Sequence, residues 1–156
     1  MGECQGREQN ALFDADEAAV LRSFVACDVR FIVVGGRAVQ FHGHLRPAKD
    51  LDLLVEFSEE IWERLGQALR PLDAGVPAFA TLSPEKRYQA RLALYPTVEF
   101  LTAIDGVSFA SAWMDAVATI IDSIPVRVLC KAHLITSKQM SKRPLDARDV
   151  EALLSR

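Results

Sequence analysis

VVGGRAVQFHGHLRPAKDLDLLVE, residues 33–56, is the stretch on which the fold turns. It opens on the end of the run Val29–Val34 (VRFIVV), whose β-branched and aromatic residues read as a buried strand stopped by Gly35-Gly36. A short helix follows through Ala38, Val39 and Phe41, and Pro47 breaks the chain. Asp50–Phe57 (DLDLLVEF) then alternates, with Leu51, Leu53, Val55 and Phe57 on one face and Asp50, Asp52, Leu54 and Glu56 on the other, which reads as a second strand. Two carboxylates one residue apart on a strand point the same way, and a divalent cation between them relieves their repulsion. An isolated Asp-x-Asp is more often a solvated strand face, and an isolated Gly-Gly an ordinary turn. The ordered set of strand, Gly-Gly, helix and Asp-x-Asp strand carries more, because glycines let the backbone approach a phosphate and the helix start supplies amide donors.

Working outward, Asp14 and Glu17 have capping-box spacing ahead of Val20, Leu21, Phe24 and Val25 on one helical face. Ser58 caps a helix through Ile61, Leu65 and Leu69 to about Arg70. Pro71 to Pro84 reads as a loop with one short element. Tyr88–Leu94 and Val98–Leu101 read as strands bent at Pro96, Phe109–Ala116 as a helix, and Thr119–Leu129 as a hairpin turning near Ser123. Two helices, Lys131–Met140 and Pro144–Leu154, close the chain, Pro144 suiting a first turn. The whole predicts an α+β fold, a mixed central sheet with flanking helices, with residues 1–12 a disordered leader and 13–156 a single domain.

With 156 residues, half hydrophobic and a quarter charged, the chain has the apolar material for one core. A formal net charge of -3 does not favour nonspecific attraction to nucleic acid or to an anionic membrane. No apolar run approaches the roughly 20 residues of a membrane span, and the polar first residues do not resemble a signal peptide, so a cytoplasmic protein is expected. Cys4, Cys27 and Cys130 are too scattered for a disulfide framework or a zinc site.

The stretch 33–56 resembles the signature of the nucleotidyltransferase superfamily with the DNA polymerase β-like fold, and within it the small proteins related to the AbiEii toxin. In that pattern a Gly-Gly or Gly-Ser turn precedes Arg-x-Thr-x-Asp-x-Asp. Here it reads Arg46-Pro47-Ala48-Lys49-Asp50-Leu51-Asp52, with Ala48 in place of Thr and Gly36 where many members carry Ser. The resemblance implies Mg²⁺ or Mn²⁺ held by Asp50, Asp52 and a third carboxylate. Glu99 is the choice for the third, since Val98 and Phe100 should face the other way, and Asp105 competes. The segment from Lys138 through Arg143, Asp146 and Asp149 is similar to the closing pattern of the relatives. Lys138 would reach a triphosphate as the fourth catalytic residue, or else join a structural ion-pair network between two helices. The nucleotide-binding set implied is Gly35, Gly36, Arg37, Arg46, Lys49, Arg143, Asp146 and Asp149.

The activity implied is transfer of NMP from an NTP to a hydroxyl of tRNA or protein, in a toxin governed by an antitoxin partner. Larger toxins of that group carry a helical substrate domain for which 156 residues leave no room. A small-molecule acceptor, as in antibiotic nucleotidyltransferases, is therefore the enzymatic alternative. A nucleotide- or partner-binding module without turnover is a third reading. His42 and His44 lack a third zinc ligand at a recognisable spacing and read as loop histidines. Trp62 and Trp113 sit at core spacing.

Overall fold

A computed structural model describes residues 12–141 and 143–156. The leader expected over 1–12, Cys4 included, lies outside them except for Leu12. Helix α1, Ala15–Ala26, starts on the reciprocal cap its sequence predicts, Asp14 Oδ1 accepting from the Glu17 amide at 2.8 Å and Glu17 Oε1 from the Asp14 amide at 3.1 Å. Strand β1, Phe31–Val34, begins two residues later than its apolar run suggests, because Asp28 turns at φ 58° and the Val29 amide still closes α1 by donating to Phe24. All four β1 residues are buried, as fits a strand at the middle of a sheet.

Helix α2, Gly35–Phe41, follows without an intervening loop, and β2, Leu51–Val55, returns antiparallel to β1. Helix α3, Glu59–Leu69, is capped by Ser58 Oγ, which accepts from the Ile61 amide at 3.2 Å. The loop beyond carries two 3₁₀ turns, Arg70–Leu72 and Phe79–Thr81, where one element was expected. Trp62 explains its course: the buried indole packs on Phe57, Phe79, Tyr88 and Phe100 and donates to the Pro77 carbonyl at 2.9 Å.

Strands β3, Gln89–Arg91, and β4, Val98–Leu101, form an antiparallel pair. β3 is shorter than the apolar pattern implies, since the reversal starts at Leu92, whose amide bonds Val98. Ser108 caps α4, Phe109–Asp115, which leads to β5, Val117–Ile121, and β6, Ile124–Val128. Their two-residue turn has Asp122 and Ser123 both at positive φ, the geometry that matches strand twist. Trp113 is half-buried, with the Arg127 guanidinium 4.0 Å from its ring centre. Helices α5, Lys131–Met140, and α6, Pro144–Leu154, pack together at the end.

The sheet is mixed and runs β3-β4-β2-β1-β6-β5. β2 pairs antiparallel with β1 and parallel with β4, and β1 pairs parallel with β6. Leu51, Leu53, Leu54 and Val55 are all buried, so both faces of β2 are covered. Among the described residues no helix is long and apolar enough to cross a membrane.

Candidate active site

Register places the carboxylates. On β2 and β4, which run parallel, Asp52 stands opposite Glu99, while Val98 and Phe100 turn into the core. Neighbouring strands lie about 4.8 Å apart, so the two acids share one face at the sheet's end. Asp50 stands one residue before β2, where the Leu51 amide donates to the Thr97 carbonyl at 2.7 Å. Burial first, then the charges of Glu99 and Asp50, push the Asp52 carboxyl up to about 6. These acids line a polar cavity of about 420 Å³, facing Lys138, Arg143 and Asp146 from α5 and α6.

Gly35 lines the same cavity, at φ 66°, and a Cβ there would collide with the Asp52 carboxylate. Gly35→Ala is therefore expected to cost about 1–3 kcal/mol, from backbone strain and displacement of Asp52 together, as a shift of the urea midpoint. Gly36 is different. A Cβ on it would meet Ala48 Cβ at 2.9 Å and the Arg46 guanidinium at 3.2 Å, so it faces the loop before β2 rather than the cavity.

Three residues escape a reading centred on Asp-x-Asp: Arg87 and Gln89 on the cavity wall, and Arg91 bonded to its acids. Their spacing of two, the strand period, was the available signal. Arg91 forks onto Asp50, Nη1 to Oδ1 at 2.9 Å and Nη2 to Oδ2 at 3.1 Å, and also reaches Glu99 Oε2 at 3.2 Å. Its hydrogen bonds hold the Asp50 carboxyl below the usual range. Gln89 donates to Glu99 Oε1, and Arg87 pairs with Asp105 at 3.1 Å. Asp105 is thus at the cavity wall and paired to Arg87, while Glu99 is the acid in register with Asp52.

Among the described residues, no three His, Cys, Asp or Glu side chains converge as they stand to hold a metal ion. The donor chemistry of Asp50, Asp52 and Glu99 nevertheless fits one: hard oxygens, mutually repelling, two of them already bridged by a cationic guanidinium.

Opposite the acids lies an ion-pair network. Lys138 Nζ, buried, meets Asp146 Oδ1 at 3.0 Å and Asp149 Oδ2 at 2.9 Å. Arg46 forks onto Asp149 at 2.7 and 2.8 Å, and Arg143 Nε bonds Asp146 Oδ2 at 2.8 Å, with Ser141 Oγ on the same oxygen. Burial works upward on Asp146, but the bonds from Arg143, Ser141 and Lys138 win and lower it to about 2. A depressed acid stabilises the fold above its unfolded value, near 3.8, and loses that contribution as pH falls toward 2. The contribution is up to about 2 kcal/mol. Asp146→Asn should therefore be less stable than the wild type at pH 7, and the difference between the two should shrink at pH 3, read as urea midpoints.

Of the remaining residues expected at a nucleotide, Arg37 is buried away from the cavity on Glu17, and Lys49 is exposed. Arg46 and Asp149 stand behind Lys138 rather than on the cavity wall. His42 caps α2, its Nε2 2.8 Å from the Leu129 carbonyl, and His44 lies 3.7 Å from Asp149. A larger, open hollow of about 990 Å³ sits beside Phe13, Leu45 and Ile120, and the charges it borders, Glu17 and Arg37, are spent on each other.

No family model and no curated protein matches the sequence. Solved structures do match the fold. A lincosamide antibiotic adenylyltransferase, LnuA, solved with lincomycin bound, superposes with a TM-score of 0.61 at 15% identity, covering 94% of this chain and 99% of that one. The antibiotic-resistance factor ANT(2'')-Ia gives 0.56 at 17% identity over 88% and 86%. An antigenic nucleotidyltransferase-like protein from Paracoccidioides brasiliensis gives 0.51 at 15% over 90% and 75%. The mixed six-stranded sheet with its flanking helices is the nucleotidyltransferase fold.

Proposed function

We propose that the protein is a divalent-metal-dependent nucleotidyltransferase, moving NMP from an NTP to an acceptor hydroxyl. The observation that carries this reading is the register of Asp52 against Glu99, beside Asp50 and Gly35, in a polar cavity walled on its far side by Lys138 and Arg143. Asp50, Asp52 and Glu99 would hold Mg²⁺ or Mn²⁺, which when bound neutralises triphosphate charge and acidifies the attacking hydroxyl. In the network joining α5, α6 and the loop before β2, three cations, Arg46, Lys138 and Arg143, oppose two carboxylates, Asp146 and Asp149, a net charge of plus one that Lys138 and Arg143 would present to the cavity. That excess offsets charge developing on the leaving pyrophosphate as the bond between the α-phosphorus and its bridging oxygen breaks. Glu99 stands on the β3 side of the cavity with Gln89 and Arg87, and this is the side from which an acceptor would approach.

A small-molecule acceptor is the reading we favour. Its support is the match along nearly the whole of both chains to an adenylyltransferase whose structure holds lincomycin. Transfer to tRNA or protein by an AbiEii-like toxin with an antitoxin partner rests on the sequence pattern of residues 33–56 and 138–149. Incubating the protein with Mg²⁺ and each labelled NTP, together with lincomycin and other hydroxyl-bearing antibiotics, total tRNA or cell lysate, separates them by the species that acquires label. A metal-dependent NTP thermal shift without labelled product would identify a binding module. NTP binding independent of Mg²⁺, Asp50 and Asp52 would sink the reading altogether.

A further inference from the structure

We infer that Arg91 is a built-in occupant of the cation site, so that a divalent ion gains Asp50 and Glu99 only by displacing its guanidinium. The inference rests on the proposed role of these carboxylates as metal ligands and adds a residue that controls access to them. Asp50 and Glu99 come from different strands, β2's leading edge and β4, and the same side chain on a third strand bridges them. Asp50 receives both arms of the fork, at 2.9 and 3.1 Å, which leaves it poorly placed to turn toward Asp52. Nη1 also donates to the Pro96 carbonyl, and two features nevertheless favour release of the arm. Arg91 sits on β3, an edge strand of three residues, and its side chain is 44% exposed, so water can solvate the guanidinium as it leaves. By contrast Lys138, a buried cation on the far wall of the cavity, is locked between two buried aspartates and cannot take part in such an exchange.

An occupied cation site has a defined consequence. The free protein avoids the full repulsion of three acids, and an ion meets a competing cation, which weakens its affinity in the absence of nucleotide. Removing Arg91 should strengthen ion binding even though no ligand has been added.

Titration of the nucleotide-free protein with Mn²⁺, followed by calorimetry and by electron paramagnetic resonance of free Mn²⁺, tests this. Arg91→Gln is expected to bind Mn²⁺ on the order of tenfold more tightly than the wild type. Arg91→Lys, which keeps the charge but cannot fork, should fall between them. Arg87→Gln removes an equal charge from the neighbouring position and leaves the bridge intact, so it measures the general effect of the field. It should change affinity several-fold less than Arg91→Gln. Circular dichroism of each variant verifies folding. Equal affinity in wild type and Arg91→Gln, or equal gains in Arg91→Gln and Arg87→Gln, overturns the Arg91 inference and leaves the metal site standing. Absence of Mn²⁺ binding in all of them overturns both.

Discussion

Asp52→Asn is expected to abolish nucleotide transfer, by roughly a thousandfold or more, while making the protein harder to unfold. The loss follows from removing the central carboxylate of the cavity. The gain follows from its environment: Asp52 is partly buried beside Glu99 and Asp50, and these raise its carboxyl to about 6 from an ordinary value near 3.8. An acid whose folded value is raised destabilises the fold when ionised. The penalty is absent below about pH 4, grows as pH rises to 6 and is complete above it. Measured in EDTA at pH 7.5, the Asn variant should gain up to about 3 kcal/mol, or roughly 10 °C in melting temperature. The difference should close as pH falls toward 4. Retained transfer would remove Asp52 from the chemistry, and an unchanged or lower melting temperature would remove the charge-repulsion account.

Arg37→Met should have the opposite character, with a large loss of stability at a residue outside the acid-lined cavity. Arg37 forks onto buried Glu17 at 2.8 Å on both arms and also donates to the carbonyls of Leu12 at 2.8 Å, Ala48 at 2.9 Å and Lys49 at 3.4 Å. Thr97 Oγ1 adds a 2.7 Å bond to Glu17. Burial works upward on Glu17, yet the bonds from Arg37 and Thr97 leave its carboxyl lowered. One ion pair thus ties α1 to α2, to the loop that delivers Asp50 and to the turn before β4. Breaking it strands a buried carboxylate, at about 3–5 kcal/mol. Pairing the change with Glu17→Met removes the stranded charge and should recover part of the loss, the unbonded carbonyls accounting for the rest. A urea midpoint for Arg37→Met within about 1 kcal/mol of the wild type would refute this account.

The fold was legible where punctuation is strong. The Asp14–Glu17 cap, the Gly35-Gly36 stop, the Ser58 cap and Pro144 are local signals, and the helices they bound stand where the sequence puts them. β3 was less legible, because its end is set by a backbone bond from Leu92 to Val98 that no side chain announces. In the site, alternation puts Asp52 and, once the resemblance asks for a third carboxylate, Glu99 on one face, whereas Asp50, expected as the first residue of that strand, lies before β2 with both oxygens on Arg91; Lys138 with Asp146 and Asp149 was legible as charges on an apolar stripe. Arg37 could not be placed: a basic residue after Gly-Gly looks the same whether it faces a phosphate or a carboxylate twenty positions earlier. Only the packing of α1 on the sheet distinguishes the two.

The contact between Gly36 and Ala48 bears on how this sequence could drift. Both are departures from the Gly-Ser and Thr pattern the stretch otherwise resembles, and the two positions face each other, with a Cβ on Gly36 only 2.9 Å from Ala48 and 3.2 Å from Arg46. A side chain at 36 therefore requires Ala48 and the Arg46 guanidinium, itself held on Asp149, to give way. Substitutions here are epistatic: a serine at 36 and a threonine at 48 crowd one space, so their combined cost should depart from the sum of the separate costs. The order in which the two positions change, as well as the preference at each, therefore shapes any path between the two versions of the motif.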